Sequence, residues 1–191
     1  MIWFTADTHF NHAAILQHTS RAFFNIKDHD DEIISTLNQF VKRDDELWHL
    51  GDFCWTASKA GHYRSRINCR KIHCTRGNHD ASSLARHVST FEMLAVKKIG
   101  GRVISLCHYP LASWSSWAYG GLNLHGHCHN RLPKEIGRLD VGLDSAFAHF
   151  GVLRPFSLEE VLEILTEKNN VDLPLSDGSV YVGPIAGSVD G

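Results

Sequence analysis

Aspartates, histidines and an asparagine recur in this 191-residue sequence just after its apolar runs, where side chains are well placed to meet. Asp7 and His9 follow the first run, Asp52 the second, and Asn78, His79 and Asp80 a third. His108 ends a fourth run, and His127 and His129 follow a fifth. Carboxylate oxygens and neutral imidazoles are the ligands of hard and borderline divalent metals. Side chains just beyond several strand ends converge on one crevice of an open sheet. Asp7, Asp52, Asn78, His108, His127 and His129 are too many for one ion and suit two, and Asp52, midway in the series, could bridge them. Two metal ions clamp the attacking and leaving oxygens of a phosphoryl transfer.

The elements that must position these residues follow from periodicity and punctuation. Ile2–Ala6, Glu46–Leu50, Lys71–Thr75, Leu122–His125 and Gly137–Val141 read as strands. Phe91–Ile99 and Arg102–Cys107 form a hairpin candidate around Gly100-Gly101. Asn11–His18 reads as a short helix, Ser58–Ile67 as helical, and Ser82–Val88 as one or two helical turns. Asp28–Val41 carries Ile33, Ile34, Leu37 and Phe40 at helical spacing, with Asp28 as its expected N-cap. Gly142–Ala146 reads as a turn. Ser157 and Glu160 have capping-box spacing before Val161, Leu162, Ile164 and Leu165. This order implies a mixed α/β domain over residues 1–168, followed by a loosely held extension, 169–191, rich in Pro, Gly, Ser and Asp.

Composition narrows the function classes. The chain is 43% hydrophobic, with net charge -2, so bulk charge gives no reason to expect a nucleic-acid coat protein. Histidine is the outlier at 14 residues. The five cysteines lack CxxC spacing and read as reduced, buried thiols of a cytoplasmic protein. No window suggests a membrane span or a secretory leader.

Asp7-x-His9, Gly51-Asp52, Gly77-Asn78-His79-Asp80, His108 and Gly126-His127-x-His129, taken in order, resemble the calcineurin-like metallophosphoesterase superfamily across roughly Ile2 to Phe150. The run from Thr5 to His12 is similar to a compact bacterial and phage branch of it. The resemblance implies a four-layer α-β-β-α sandwich of two mixed sheets, here with no room for a large cap domain. It implies Asp7, His9 and His129 on one metal, Asn78, His108 and His127 on the other, and Asp52 bridging. Attack would come from a hydroxide held between the ions, and His79 would protonate the leaving oxygen. Mn²⁺ is the first expectation for both metals, with Fe, Zn²⁺, Ni²⁺ and Mg²⁺ as alternatives. The implied activity is hydrolysis of phosphomonoesters or phosphodiesters, of nucleotides or nucleic-acid ends. A nuclease or cyclic-phosphate diesterase is the alternative within enzymes. A protein-binding scaffold of the same fold, as in a retromer subunit, is the rival from another class.

Several residues stay open. His12, one helical turn after His9, is read as a substrate contact or outer support against a solvated helix residue. Arg76 could offer a phosphate fork or point away. Family phosphatases often orient the histidine at position 79 with an aspartate shortly after Gly-Asp; here Phe53-Cys54-Trp55 follows, and that partner is missing. The aromatic stretch Trp114–Tyr119 reads as a flap packed on its own domain, with base stacking as the alternative. His49 and His125 read as structural; His18, His29, His62, His73, His87 and His149 as ordinary.

Overall fold

The computed structural model describes residues 1–19 and 21–167. In chain order its elements are β1 (Ile2–Thr5), α1 (Ile15–His18), α2 (Ile26–Phe40), β2 (Glu46–His49), α3 (Ala60–Ser65), β3 (Lys71–Thr75), β4 (Thr90–Glu92), β5 (Leu94–Ile99), β6 (Arg102–Cys107), β7 (Leu122–His125), β8 (Arg138–Asp140), α4 (Leu143–Phe150), β9 (Phe156–Ser157) and α5 (Leu158–Glu167). The strands form two mixed sheets, ordered β4-β3-β2-β1-β9 and β5-β6-β7-β8. In the first sheet β1 to β4 run parallel and β9 pairs antiparallel to β1. In the second only the β5–β6 pair is antiparallel.

Alternation along the strands builds two cores, one on each face of the first sheet. Phe4, Trp48 and Leu50 join Ile104, Leu106, Leu122 and Leu124 of the second sheet in the inner core, where Val161, Ile164 and Leu165 of α5 also pack. Trp3, Leu47 and Ile72 point the other way, onto Ile33, Ile34 and Leu37 of α2 and Tyr63 of α3. Packed sheets flanked by helices, with no cap domain among the described residues, agree with the architecture that the resemblance implies. The far side of β7 carries a buried Asn123, whose Oδ1 accepts from the Leu111 N–H at 3.0 Å, so a loop lies over that face.

Four local expectations are corrected. The cap of α2 is Asn25, three residues before Asp28: the two bond reciprocally, Asp28 N–H to Asn25 Oδ1 and Asn25 Nδ2 to Asp28 Oδ2, both at 2.9 Å. Only Ile15–His18 of the first short helix forms. The strand expected from Phe91 to Ile99 breaks at Met93, because Thr90–Glu92 pairs with the first sheet and Leu94–Ile99 with the second. Residues 143–150 form a helix where a turn was expected. Its signs are Leu143 and Ala146, buried at helical spacing, and Gly151, which ends it at φ +72°.

Other expectations hold. The hairpin closes through Gly100 and Gly101 at φ +56° and +78°, the conformation of a two-residue turn. The capping box forms, Ser157 N–H to Glu160 Oε2 at 2.8 Å and Glu160 N–H to Ser157 Oγ at 3.2 Å. The 169–191 extension lies outside the described residues. No described helix is long and apolar enough to cross a membrane.

Candidate metal and catalytic centre

Parallel strands bring the functional loops to one end. Just past β1, β2 and β7 the backbone turns sharply, through left-handed conformations at Asp7 (φ +57°), His9 (+48°), Asp52 (+55°), His127 (+69°) and His129 (+49°). Five of the seven residues read as metal ligands therefore sit where side chains other than glycine are strained by about 1–3 kcal/mol each. Such strain persists only where surrounding contacts over-determine it. Gly51 (φ +90°) supplies one contact surface, since a Cβ there would strike the His108 ring. Gly77 supplies another, since a Cβ there would overlap the Asp52 carboxylate and N–H.

These turns gather the donors. Ligand atoms of Asp7, His9 and His129 lie within 4.8 Å of one another, as do those of Asp7, Asp52 and His108. One Asp52 oxygen, Oδ1, accepts the His79 backbone N–H at 2.9 Å. The other faces three imidazoles: His108 Nε2 at 3.4 Å, His9 Nε2 at 3.6 Å and His79 Nε2 at 4.0 Å. Asn78 Oδ1 is 3.0 Å from His108 Nε2. The His127 ring stands 5.0 Å from that of His108, and its backbone N–H reaches both oxygens of Asp7. All seven residues thus gather in one cluster, in which Asp52 Oδ2 faces His9, His79 and His108.

The cluster's electrostatics call for a cation. Burial pushes the Asp7 carboxyl up to about 7. Burial also opposes charge on Asp52, yet hydrogen bonding to His108 and the His108 charge hold it well below the usual carboxylate range. Burial would lower His108, but the bond to Asp52 and the field of Asp7 raise it to about 9. His9, buried without a bonded carboxylate, is lowered to about 2. Its Nε2 has no hydrogen-bond partner although it is fully enclosed. A neutral, buried, unpaired imidazole nitrogen facing two carboxylates has the chemistry of a metal donor, so the residues fit a divalent pair.

A supporting layer, partly missed in the sequence, fixes these groups. Asp80 accepts the N–H groups of Asp52, Phe53 and Gly77 at 2.8–2.9 Å, locking the two loops together. Asp144 of α4 lies 2.6 Å from His129 Nδ1, leaving Nε2 for metal. Arg21 grips Asp144 at 3.0 and 2.7 Å and donates to the Asp7 carbonyl at 2.8 Å. The far side of Arg21 meets His29 Nε2 at 3.0 Å, and His29 Nδ1 meets Asp30 at 2.9 Å. His29 is therefore a fully buried member of this chain of contacts, not an ordinary histidine. Asp144 could have been found only by recognising α4.

His49 bonds Thr8 Oγ1 at 2.9 Å and His125 Nδ1 the Gly126 carbonyl at 2.8 Å, both structural roles. The His79 side chain is 34% exposed, open to a substrate. His12 stacks flat on Trp55, centroids 3.9 Å apart at 6°, and Trp55 stands 4.6 Å from His79. The segment after Gly51-Asp52 that lacks an aspartate thus offers His79 an indole instead. Arg76 is exposed, its N–H bound to the Glu92 carbonyl. Tyr109, 41% exposed, packs 4.7 Å from the His127 ring. Within the aromatic loop Trp114 is buried, its Nε1 bound to the Gly121 carbonyl at 2.7 Å, while Trp117 and Tyr119 are exposed.

The family model of calcineurin-like phosphoesterases matches residues 1–176. An uncharacterized protein of Methanocaldococcus jannaschii is 28% identical over 180 residues, covering 92% of this chain and 97% of that protein. The Gene 66 protein of Mycobacterium phage D29 is 27% identical over 180 residues, covering 75% of this chain and 88% of the phage protein. Among solved structures, a protein of unknown function from Aquifex aeolicus shares the fold with a TM-score of 0.68 at 23% identity, covering 86% of this chain and 98% of that one.

Proposed function

Because this chain belongs to the calcineurin-like phosphoesterase family, and is thus a metal-dependent phosphoester hydrolase, we propose that it cleaves phosphate esters of nucleotides or nucleic-acid ends at the cluster around Asp52. The observation that carries this reading is the convergence of three imidazole nitrogens on one buried Asp52 oxygen, 3.4–4.0 Å away. Asp7, His9 and His129 would hold one divalent ion, Asn78, His108 and His127 the other, and Asp52 would bridge. Mn²⁺ is the first choice for this mixture of carboxylate, amide and imidazole donors. When bound, the ions supply Lewis acidity that stabilises charge on the phosphoryl oxygens.

The protein's own residues supply the rest. His79 is held by its backbone to Asp52 Oδ1 while its ring stays open to solvent, so it can hand a proton to the leaving oxygen without serving as a ligand. His12 lies beside both His9 and His79, which supports reading it as a contact for a substrate oxygen. Arg76, one residue before Gly77, is the remaining candidate for an outer phosphate contact. An open approach, with no cap among the described residues, admits bulky diesters as well as monoesters. All five cysteines are free, which suits a reducing cytoplasm. Residues 1–168 would constitute the catalytic domain.

The test is metal analysis of the purified protein, paired with rates on a panel of nucleotide mono- and diesters after loading with Mn²⁺, Fe²⁺, Zn²⁺ or Ni²⁺. Two ions per chain with turnover of at least one ester class is expected. Absence of hydrolysis on every ester with every metal would overturn the proposal in favour of a protein-binding scaffold.

A further inference from the structure

Trp55 is a large ring left half-exposed, 47%, 4.6 Å from the His79 ring of the candidate centre. Its described ring neighbours show which of its surfaces they cover. His12 lies flat on one face, with ring centroids 3.9 Å apart and planes within 6°. His79 is 4.6 Å from Trp55 and 5.9 Å from His12. Those three separations make a near-right angle at Trp55, so His79 meets the indole from the side, not from the face opposite His12. Among the described residues no ring stacks on the second face, to which we assign the indole's exposure. The Trp55 N–H bonds the Phe10 carbonyl at 3.0 Å, anchoring the main chain that carries the ring.

We infer that the open face of Trp55 is a binding site for an aromatic ring on the leaving group, making the preferred substrate a phosphate ester whose departing oxygen belongs to a nucleoside. This rests on the reading that His79 serves the leaving oxygen: a group departing from His79 emerges beside the indole. Base-on-aromatic stacking tolerates any base, because every base has a π-face. The Trp114–Tyr119 loop is a weaker candidate, since Trp114 is enclosed and neither Trp117 nor Tyr119 stacks on a histidine of the cluster.

Two measurements test it. The first is kcat/KM for a dinucleoside monophosphate divided by that for glycerophosphoglycerol, a diester whose leaving group carries no ring whichever bond breaks. Trp55→Ala should lower this ratio by roughly 5- to 150-fold, the range of base–aromatic stacking, and Trp55→Phe should restore most of it. The second needs no metal: AMP titrated into chelator-treated protein should quench intrinsic fluorescence saturably, and Trp55→Phe should abolish that quench. An equal loss on both esters would make Trp55 a support for His79 and overturn the inference. An unchanged ratio, or a quench that survives in Trp55→Phe, would overturn it too. Wild-type protein inactive on every ester would instead defeat the underlying hydrolase mechanism, while the AMP titration would still report on the ring site.

Discussion

Replacing Asp144 with asparagine separates support of the metal from support of the fold. The carboxylate does two jobs: it meets His129 Nδ1 at 2.6 Å and neutralises Arg21, whose side chain is 1% exposed. Asparagine keeps the shape and one acceptor oxygen but removes the charge. Removing one partner of a buried ion pair costs about 3–5 kcal/mol, and the retained oxygen places Asp144→Asn at the lower end, near 3. Arg21 keeps its bonds to the Asp7 carbonyl and His29, which limits the loss further. For a domain of this size that corresponds to a melting point lower by roughly 6–12 °C in metal-free protein. Loss of the carboxylate behind a ligating histidine should also weaken the metal site about 10- to 100-fold. Calorimetry of metal-free protein reads the first effect; metal titration against a competing chelator, at a temperature where the variant is folded, reads the second. A lower melting point with unchanged metal affinity would refute the reasoning, because Asp144 would then serve Arg21 alone. Unchanged values of both would show that the pair is not buried as described.

Asp52→Asn should abolish hydrolysis and lower the bound metal from two ions, read by elemental analysis; a fully metallated, active variant would remove Asp52 from the bridge. His79→Ala should keep both ions yet slow hydrolysis by about 10²–10⁴-fold, less on nitrophenyl esters, whose leaving group barely needs a proton. His49 is lowered by burial to about 3, so between pH 6.5 and 3 the unfolded chain holds the extra proton, and stability falls as pH falls, by up to about 1.4 kcal/mol per unit. Melting points of His49→Gln should therefore decline less steeply below pH 6 than those of wild type; parallel curves would show that His49 is not the group responsible.

The strands that carry the candidate ligands were legible because they are short runs bounded by turn or polar residues, an aspartate after β1 and a glycine just after β2 and β7, and β3 and β7 have the boundaries read from sequence. Metal-ligand residue types at those ends announced the centre. What stayed hidden depends on contacts between distant segments. Arg21 and Asp144 are 123 residues apart, and no local pattern in either segment hints at the other. Met93 ends one strand and precedes another because two sheets compete for neighbouring residues, a matter of tertiary pairing and not of propensity. The cap of α2 was misplaced because Asn25 and Asp28 are both good caps, and only the extended backbone at Asn25 chooses between them.

The left-handed turns at the strand ends also set the alphabet from which this centre can be rewritten. Asp, Asn and His are the side chains, apart from glycine, that tolerate that conformation best, and all five strained positions read as ligands hold Asp or His. A β-branched residue is shut out there by its own backbone. Glutamate offers the right chemistry on a longer arm, but Gly77, Gly126 and Gly142 lie so close to Asp52 and Asp7 that a Cβ on any of them would clash with these carboxylates. Drift in metal preference along this lineage should therefore run through exchanges among Asp, Asn and His, and through partners one layer out such as Asp144, while the loops themselves keep their shape.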